Sequence, residues 1–335
     1  MPIAYAGSNI TGTDGVIAID KVANKIRFYD PVSLKETKSF DAPEPAIHEL
    51  AISPDRRKAY VPLYGDGIYG NNKKPNNKIL AIDLKAQTLT DVIDIGEYLA
   101  PHGMVMSSAG DLWVVADLPS KLLRIRPAAR AIEAAYDTPG KGPHVLTMLP
   151  DESRIYVSSK EGDIGVFDVH KAQFSARIPV RVPGIERGNG TGSEGIIPTP
   201  DGTRILVLDN SDSNELHVID VATNAQIDRV PLAMFPLTNP KRSRLSKLAF
   251  SPDGRHLMAS SYTGGLAWLI DPADLRRQTV IPVAKGPQGI AYAPDGRHAY
   301  VSCHDSGILT KVDLEARRAV AALDGGSGIE MLAWY

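Results

Sequence analysis

Three of the eight histidines in this chain, His48, His102 and His144, occupy one and the same place in an internal repeat. Aligning the Pro-Asp turns at Pro54, Pro150, Pro200, Pro252 and Pro294 and counting back six residues from each proline reaches His48, His144, Glu194, Ser246 and Gln288. Two copies without that turn join by their apolar pattern: His102 in Pro-His-Gly-Met-Val-Met and Glu330 in Ile-Glu-Met-Leu-Ala-Trp. If the repeats close into a circle, equivalent positions face one another. The consecutive residues His48, His102, His144 and Glu194 then become candidate ligands of one divalent cation. Neutral imidazole with carboxylate suits Zn, Mn, Fe, Ni or Cu, whereas Mg and Ca prefer all-oxygen shells. An open coordination position on such an ion would polarise a carbonyl or lower the pKa of a bound water toward about 7.

Other residues could act beside the ion. Lys160, Tyr262 and His304 fall where the second strand of their repeats ends, on the side expected to carry the histidines, as do Tyr64 and Asp117. With Glu330, the first three are candidate general acids or bases. Arg187, Arg242, Arg244, Tyr64 and Gln288 are candidate substrate-holding groups. Guanidinium forks pair bidentately with carboxylates, so a small anionic substrate is the expected partner. Arg187 and Arg242 lie in two long connections, Asp168 to Glu194 and Asp220 to Ser246, expected on the histidine side, where binding loops would gather.

The elements that must position these groups are strands. Ring positions recur every 42 to 54 residues, at or a little above the period of four-stranded propeller blades. Each copy has an apolar first strand after the ring residue, a second strand such as Ile155-Tyr156-Val157, a third ending in aspartate such as Val218-Ile219-Asp220, and a fourth leading onward. Those aspartates are read as turn formers. Seven first strands are expected near residues 49, 103, 145, 195, 247, 289 and 331, and the N-terminus supplies strands without a first. The expected fold is therefore all-β: a single domain over 1–335, a seven-bladed β-propeller whose C-terminal strand completes the N-terminal blade. Residues 3 to 8 are a candidate extra strand of that blade.

Composition narrows the function. With 335 residues, 43% hydrophobic and 23% charged, the chain can bury an ample core, and its net charge of −2 gives no reason to expect nucleic acid. One cysteine, Cys303, excludes an internal disulfide and a multi-thiolate metal site and reads as a packed small residue. No apolar run is long enough to span a bilayer. The start, Met-Pro-Ile-Ala-Tyr, has neither a basic nor an apolar leader region, which fits a cytoplasmic chain or the trimmed form of a periplasmic one. His170, His217, His256 and His298 fall at strand ends or outer positions and read as structural. The glycine-rich Gly184 to Gly195 feeds a strand, not a helix N-terminus, and so does not read as a phosphate cradle.

The Ser-Pro-Asp-Gly turns followed by Tyr-Val and then Val-Ile-Asp resemble the YVTN-type seven-bladed β-propellers over nearly the whole chain. That scaffold carries lyases, lactonases, electron-transfer subunits and pure binding proteins, so it implies fold, not function. Pro101-His102-Gly103-Met104 and Pro143-His144-Val145-Leu146 are similar to the Pro-His-Gly/Ala-Ile starts of inner strands in the virginiamycin B lyase family. Those are propellers that open a lactone by elimination with a divalent metal and a histidine base. The likeness implies site roles for His102 and His144, while the third histidine and the glutamate depart from that pattern. Oligogalacturonate lyases, which hold a metal among channel histidines and a glutamine, resemble the ring but not the sequence pattern. Three functions follow as expectations: a metal-dependent lyase removing a proton beside a metal-bound carboxyl or ester carbonyl, a metal-dependent hydrolase such as a lactonase, and a non-catalytic ligand- or protein-binding propeller.

Overall fold

The computed structural model describes residues 14–160, 163–180, 193–209, 214–233 and 244–335. The expected strand at 3 to 8 and residues 181–192 and 234–243 of the two long connections, Arg187 and Arg242 among them, lie outside the described residues. Regular structure is almost entirely β: seven four-stranded antiparallel sheets and, among the described residues, a single 3-10 turn at Pro127–Ala129. Alternating β-branched and aromatic runs bounded by Gly, Asp and Pro turns leave no stretch with helical periodicity.

The inner strands of blades 2 to 7 are Ala51–Ile52, Leu99–Met106, Pro143–Met148, Ser193–Pro198, Leu245–Phe250 and Pro287–Tyr292. Blade 1 is built from Val16–Asp20, Lys25–Tyr29 and Glu36–Asp41, and its inner strand is the C-terminal Ile329–Trp334, which pairs Trp334 with Val16 and Leu332 with Ala18. The N-terminal blade is thus completed by the C-terminal strand, and the chain is a seven-bladed β-propeller. No helix among the described residues is long and apolar enough to cross a membrane.

By internal packing the chain divides into two units. The first contains Pro43–Val207 and His217–Asp228, where the inner strands of blades 2, 3, 4 and 5 are successive neighbours. The second contains the described part of Gly7–Ala42 with Leu208–Leu216 and Arg229–Tyr335, where the inner strands of blades 6, 7 and 1 are neighbours. Apolar layers between blades form the core of each. In the first, Trp113 of blade 3 packs on Phe167 of blade 4 with ring centroids 5.5 Å apart. In the second, Tyr300 of blade 7 packs on Trp334 of blade 1 at 5.3 Å. Aromatic residues of the second strands therefore join blades, because a two-faced sheet must bury both faces.

Turn chemistry follows the side chains. The third-strand aspartates take backbone N–H groups three residues on: Asp83 from Ala86 at 2.7 Å, Asp168 from Lys171 at 2.9 Å and Asp220 from Thr223 at 2.8 Å. Cys303 is fully buried, and burial raises its thiol pKa.

Candidate functional site

In every blade but the second, the inner strand begins before the ring residue and runs through it, not after it as expected. The reason is a β-bulge. In blade 3, Pro101 pairs with Ala116 and Met104 with Val114, so one extra residue sits on the inner strand at His102-Gly103. The same irregularity occurs at His144, Ser246, Gln288 and Glu330. In blade 2, Ile47 pairs with Leu63 and Ala51 with Tyr60, which again places one surplus residue beside His48. A bulge locally breaks the in-out alternation of a strand and re-aims a side chain. The same insertion thus recurs at the ring residue of each of these six blades.

A serine on the second strand holds several of these bulges. Ser158 Oγ accepts the Val145 N–H at 3.2 Å and donates to the Ser193 carbonyl at 3.1 Å. Ser260 and Ser302 do the same for Lys247 and Gly289, donating to the carbonyls of Gln288 and Glu330. Blade 3 has Val115 in that place, and there the imidazole supplies the link: His102 Nδ1 lies 2.9 Å from the His144 carbonyl oxygen. A carbonyl only accepts, so Nδ1 carries the proton in this contact, the second-sphere arrangement common for metal-binding histidines.

Gly103 permits that approach. A Cβ there would stand 2.6 Å from the His144 carbonyl oxygen and 2.7 Å from Val145 Cα, both backbone atoms that cannot rotate away. Gly103→Ala is expected to cost about 1–3 kcal/mol in urea unfolding and to part His102 from blade 4. An unchanged midpoint would show that the inner strands are free to separate.

The three imidazoles lie ring against ring. Centroids are 4.3 Å apart between His48 and His102 and 4.1 Å between His102 and His144. Tyr64 stands edge-on to both His48 and His102, at 5.8 and 5.2 Å. Its hydroxyl donates to Asp117 Oδ2 at 2.5 Å. Burial pushes the Asp117 carboxyl up to about 6, against the Tyr64 hydrogen bond and the nearby Lys160 charge, which both lower it. Burial, and then Asp117, raise the Tyr64 phenol far above its usual range, so it keeps its proton. On the other side, Lys160 Nζ donates to Glu194 Oε1 at 2.5 Å, and Glu194 Oε2 is 3.3 Å from His144 Nδ1.

These contacts sort the four expected ligands into two groups. The donor atoms of His48, Glu49 and His102 all lie within 4.8 Å of one another, and no other such trio of His, Cys, Asp or Glu occurs among the described residues. His144 and Glu194 face each other instead. Glu49 was missed by sequence reasoning, since strict alternation would turn residue 49 away from residue 48. The structure instead has a two-residue inner strand, Ala51–Ile52, with the ladder interrupted at 48–50.

The remaining candidates belong to the second unit. Glu330 is buried and accepts from Lys21 Nζ at 3.2 Å. Gln288 Oε1 accepts the Ser246 hydroxyl. Tyr262 donates to Asp305 Oδ1 at 2.5 Å, and burial foremost pushes its phenol up to about 12, which suits a proton donor better than a base. The Arg244 guanidinium lies over the Tyr262 ring at 5.5 Å, and the His304 ring is 6.3 Å from it.

No family model matches the sequence, and no curated protein does. Solved structures are similar in fold. Hydrazine synthase of Kuenenia stuttgartiensis superposes with a TM-score of 0.76 at 15% identity, over 93% of this chain and 95% of that one. A streptogramin B lyase gives 0.68 at 18%, over 90% and 89%. A dihydro-heme d1 dehydrogenase gives 0.65 at 14%, over 96% of this chain and 75% of that one. At these identities the likeness is one of fold.

Proposed function

We propose that this propeller is a metal-dependent lyase of the YVTN-like type, acting by proton abstraction beside a carboxyl or ester carbonyl. The observation that carries this reading is the run of three adjacent imidazoles, His48, His102 and His144, flanked by the carboxylates Glu49 and Glu194. Support comes also from the Pro-His-Gly-Met likeness to the virginiamycin B lyase family and from the fold shared with a streptogramin B lyase.

The donor set fits an ion. His102 has Nδ1 held by a backbone carbonyl, and imidazole with carboxylate suits a divalent transition metal. Such an ion acts as a Lewis acid toward a carbonyl oxygen and so acidifies the adjacent C–H. The protein's own groups divide the remaining work. His144 is the proton acceptor in this reading, and Glu194, itself paired with Lys160 and 3.3 Å from His144 Nδ1, would stabilise the imidazolium that forms. When that proton leaves carbon, its electron pair forms the alkene, the neighbouring C–O bond breaks, and the departing oxygen takes a proton from an acid. Tyr64, which retains its proton, is the acid the first unit offers.

Elemental analysis of the purified protein beside His48→Ala and His102→Ala checks the metal. Near-stoichiometric transition metal is expected in the parent protein and a loss of at least tenfold in both variants. With a panel of cyclic esters in heavy-oxygen water, the expected product is an alkene absorbing in the near ultraviolet without solvent oxygen. Heavy oxygen in the product would replace this reading with a lactonase. A parent protein that takes up none of Zn, Mn, Fe, Ni or Cu would end it.

A further inference from the structure

The cluster at blades 2 to 5 contains more ligand-type groups than one tetrahedral ion needs, and the contacts separate them. We infer that the ion is held by His48, Glu49 and His102, with Glu49 as its carboxylate, and that Glu194 is not a ligand. This rests on the metal-dependent reading above and names the site within it.

Three observations lead there. The donor atoms of His48, Glu49 and His102 lie within 4.8 Å of one another. Ligands of a tetrahedral ion with bonds of about 2.1 Å stand ~3.4 Å apart. Side-chain rotations that move the donor atoms by about an ångström therefore close the set. The bulge beside Ile47 explains how two consecutive residues of one strand serve one centre: Ile47 pairs with Leu63 and Ala51 with Tyr60, four steps against three. Finally, both imidazoles are already braced. His102 is fixed through Nδ1 to the His144 carbonyl, and the Tyr64 ring stands edge-on to both, at 85° to His48 and 86° to His102.

Glu194 has a different set of neighbours. One oxygen takes the Lys160 ammonium at 2.5 Å and the other faces His144 Nδ1 at 3.3 Å. Bringing that carboxylate to a cation would break a nearly buried ion pair and leave the ammonium uncompensated, which is strongly unfavourable. The Glu49 carboxylate already lies within 4.8 Å of the donor atoms of both imidazoles. Two neutral imidazoles and one carboxylate leave a divalent ion with open positions for substrate, the arrangement of catalytic zinc sites.

Cobalt(II) and zinc(II) titrations of the metal-free full chain test the assignment, with affinity read by calorimetry and coordination by the cobalt visible bands. Glu49→Gln is expected to weaken binding by well over the roughly 10- to 100-fold that loss of a mere supporting contact costs, and to change the cobalt spectrum. Glu49→Asp keeps a carboxylate and is expected to bind within about tenfold of the parent, which covers the case in which the amide variant folds poorly. Glu194→Gln should bind within about threefold with an unaltered spectrum. Parent-like binding by Glu49→Gln, or a loss confined to Glu194→Gln, would overturn the assignment while leaving a metal enzyme. A parent chain that binds neither ion would remove the functional reading and this inference together.

Discussion

Trp334→Ala is expected to lower the unfolding free energy by about 3–5 kcal/mol, the range for removing a buried aromatic side chain from a packed core. Trp334 is 1% exposed and lies at the end of the strand that completes blade 1. Its ring packs on Tyr300 of blade 7 at 5.3 Å, and its indole N–H donates to the Pro31 carbonyl at 3.1 Å. Alanine would leave a cavity among Val16, Ala18, Tyr29 and Leu332 as well as an unanswered carbonyl. The loss should also loosen the pairing of Trp334 with Val16, so amide exchange in Val16–Asp20 should quicken. Val320→Ala, at a site 39% exposed on an outer strand, serves as control and should stay within about 0.5 kcal/mol. Denaturant unfolding of both variants measures the difference. A Trp334 effect below about 1 kcal/mol would show that the C-terminal strand is not what holds the N-terminal blade.

Asp117→Asn is expected to stabilise the protein above neutral pH. The Asp117 carboxyl is 6% exposed, and burial raises its pKa from 3.8 to about 6. The folded state thus binds this proton more tightly than the unfolded state does. The resulting stability is fully present below about pH 3.8 and is lost as pH rises through about 6. A displacement of that size corresponds to ~3 kcal/mol. An amide cannot ionise, and its oxygen can still accept the Tyr64 hydroxyl, though without the assistance of charge. The net gain should be about 1–2 kcal/mol at pH 8 once the weaker hydrogen bond is subtracted. At pH 4 it should vanish or reverse. Melting temperatures of parent and variant across that range give the test, and a difference independent of pH would mean that Asp117 is not held in a desolvating environment.

Much of the fold could be read from residues alone because a propeller repeats its instructions. The Pro-Asp turns, the aspartates that cap the third strands and the aromatic second strands are local signals, each satisfied within a few residues or by the adjoining blade. Repetition multiplied them until seven blades and a C-terminal strand in blade 1 were the consistent count. The recurrence of the ring residue at the bulged start of an inner strand, as at His102, His144 and Glu330, was legible for the same reason.

The division of labour among those side chains was decided by tertiary structure. Nothing in the spacing reveals that Lys160 turns to Glu194, that Tyr64 donates to Asp117, or that His102 borrows the carbonyl of His144 where the serine of other blades is missing. These partners lie 34 to 53 residues apart in the chain. Glu49 was hidden because a sequence pattern assumes that strands alternate, and one extra residue in the ladder beside Ile47 cancels that assumption. Periodicity is a property of single strands and survives in the sequence. The choice of which buried charge meets which partner depends on distances between strands, and those exist only after the blades have packed.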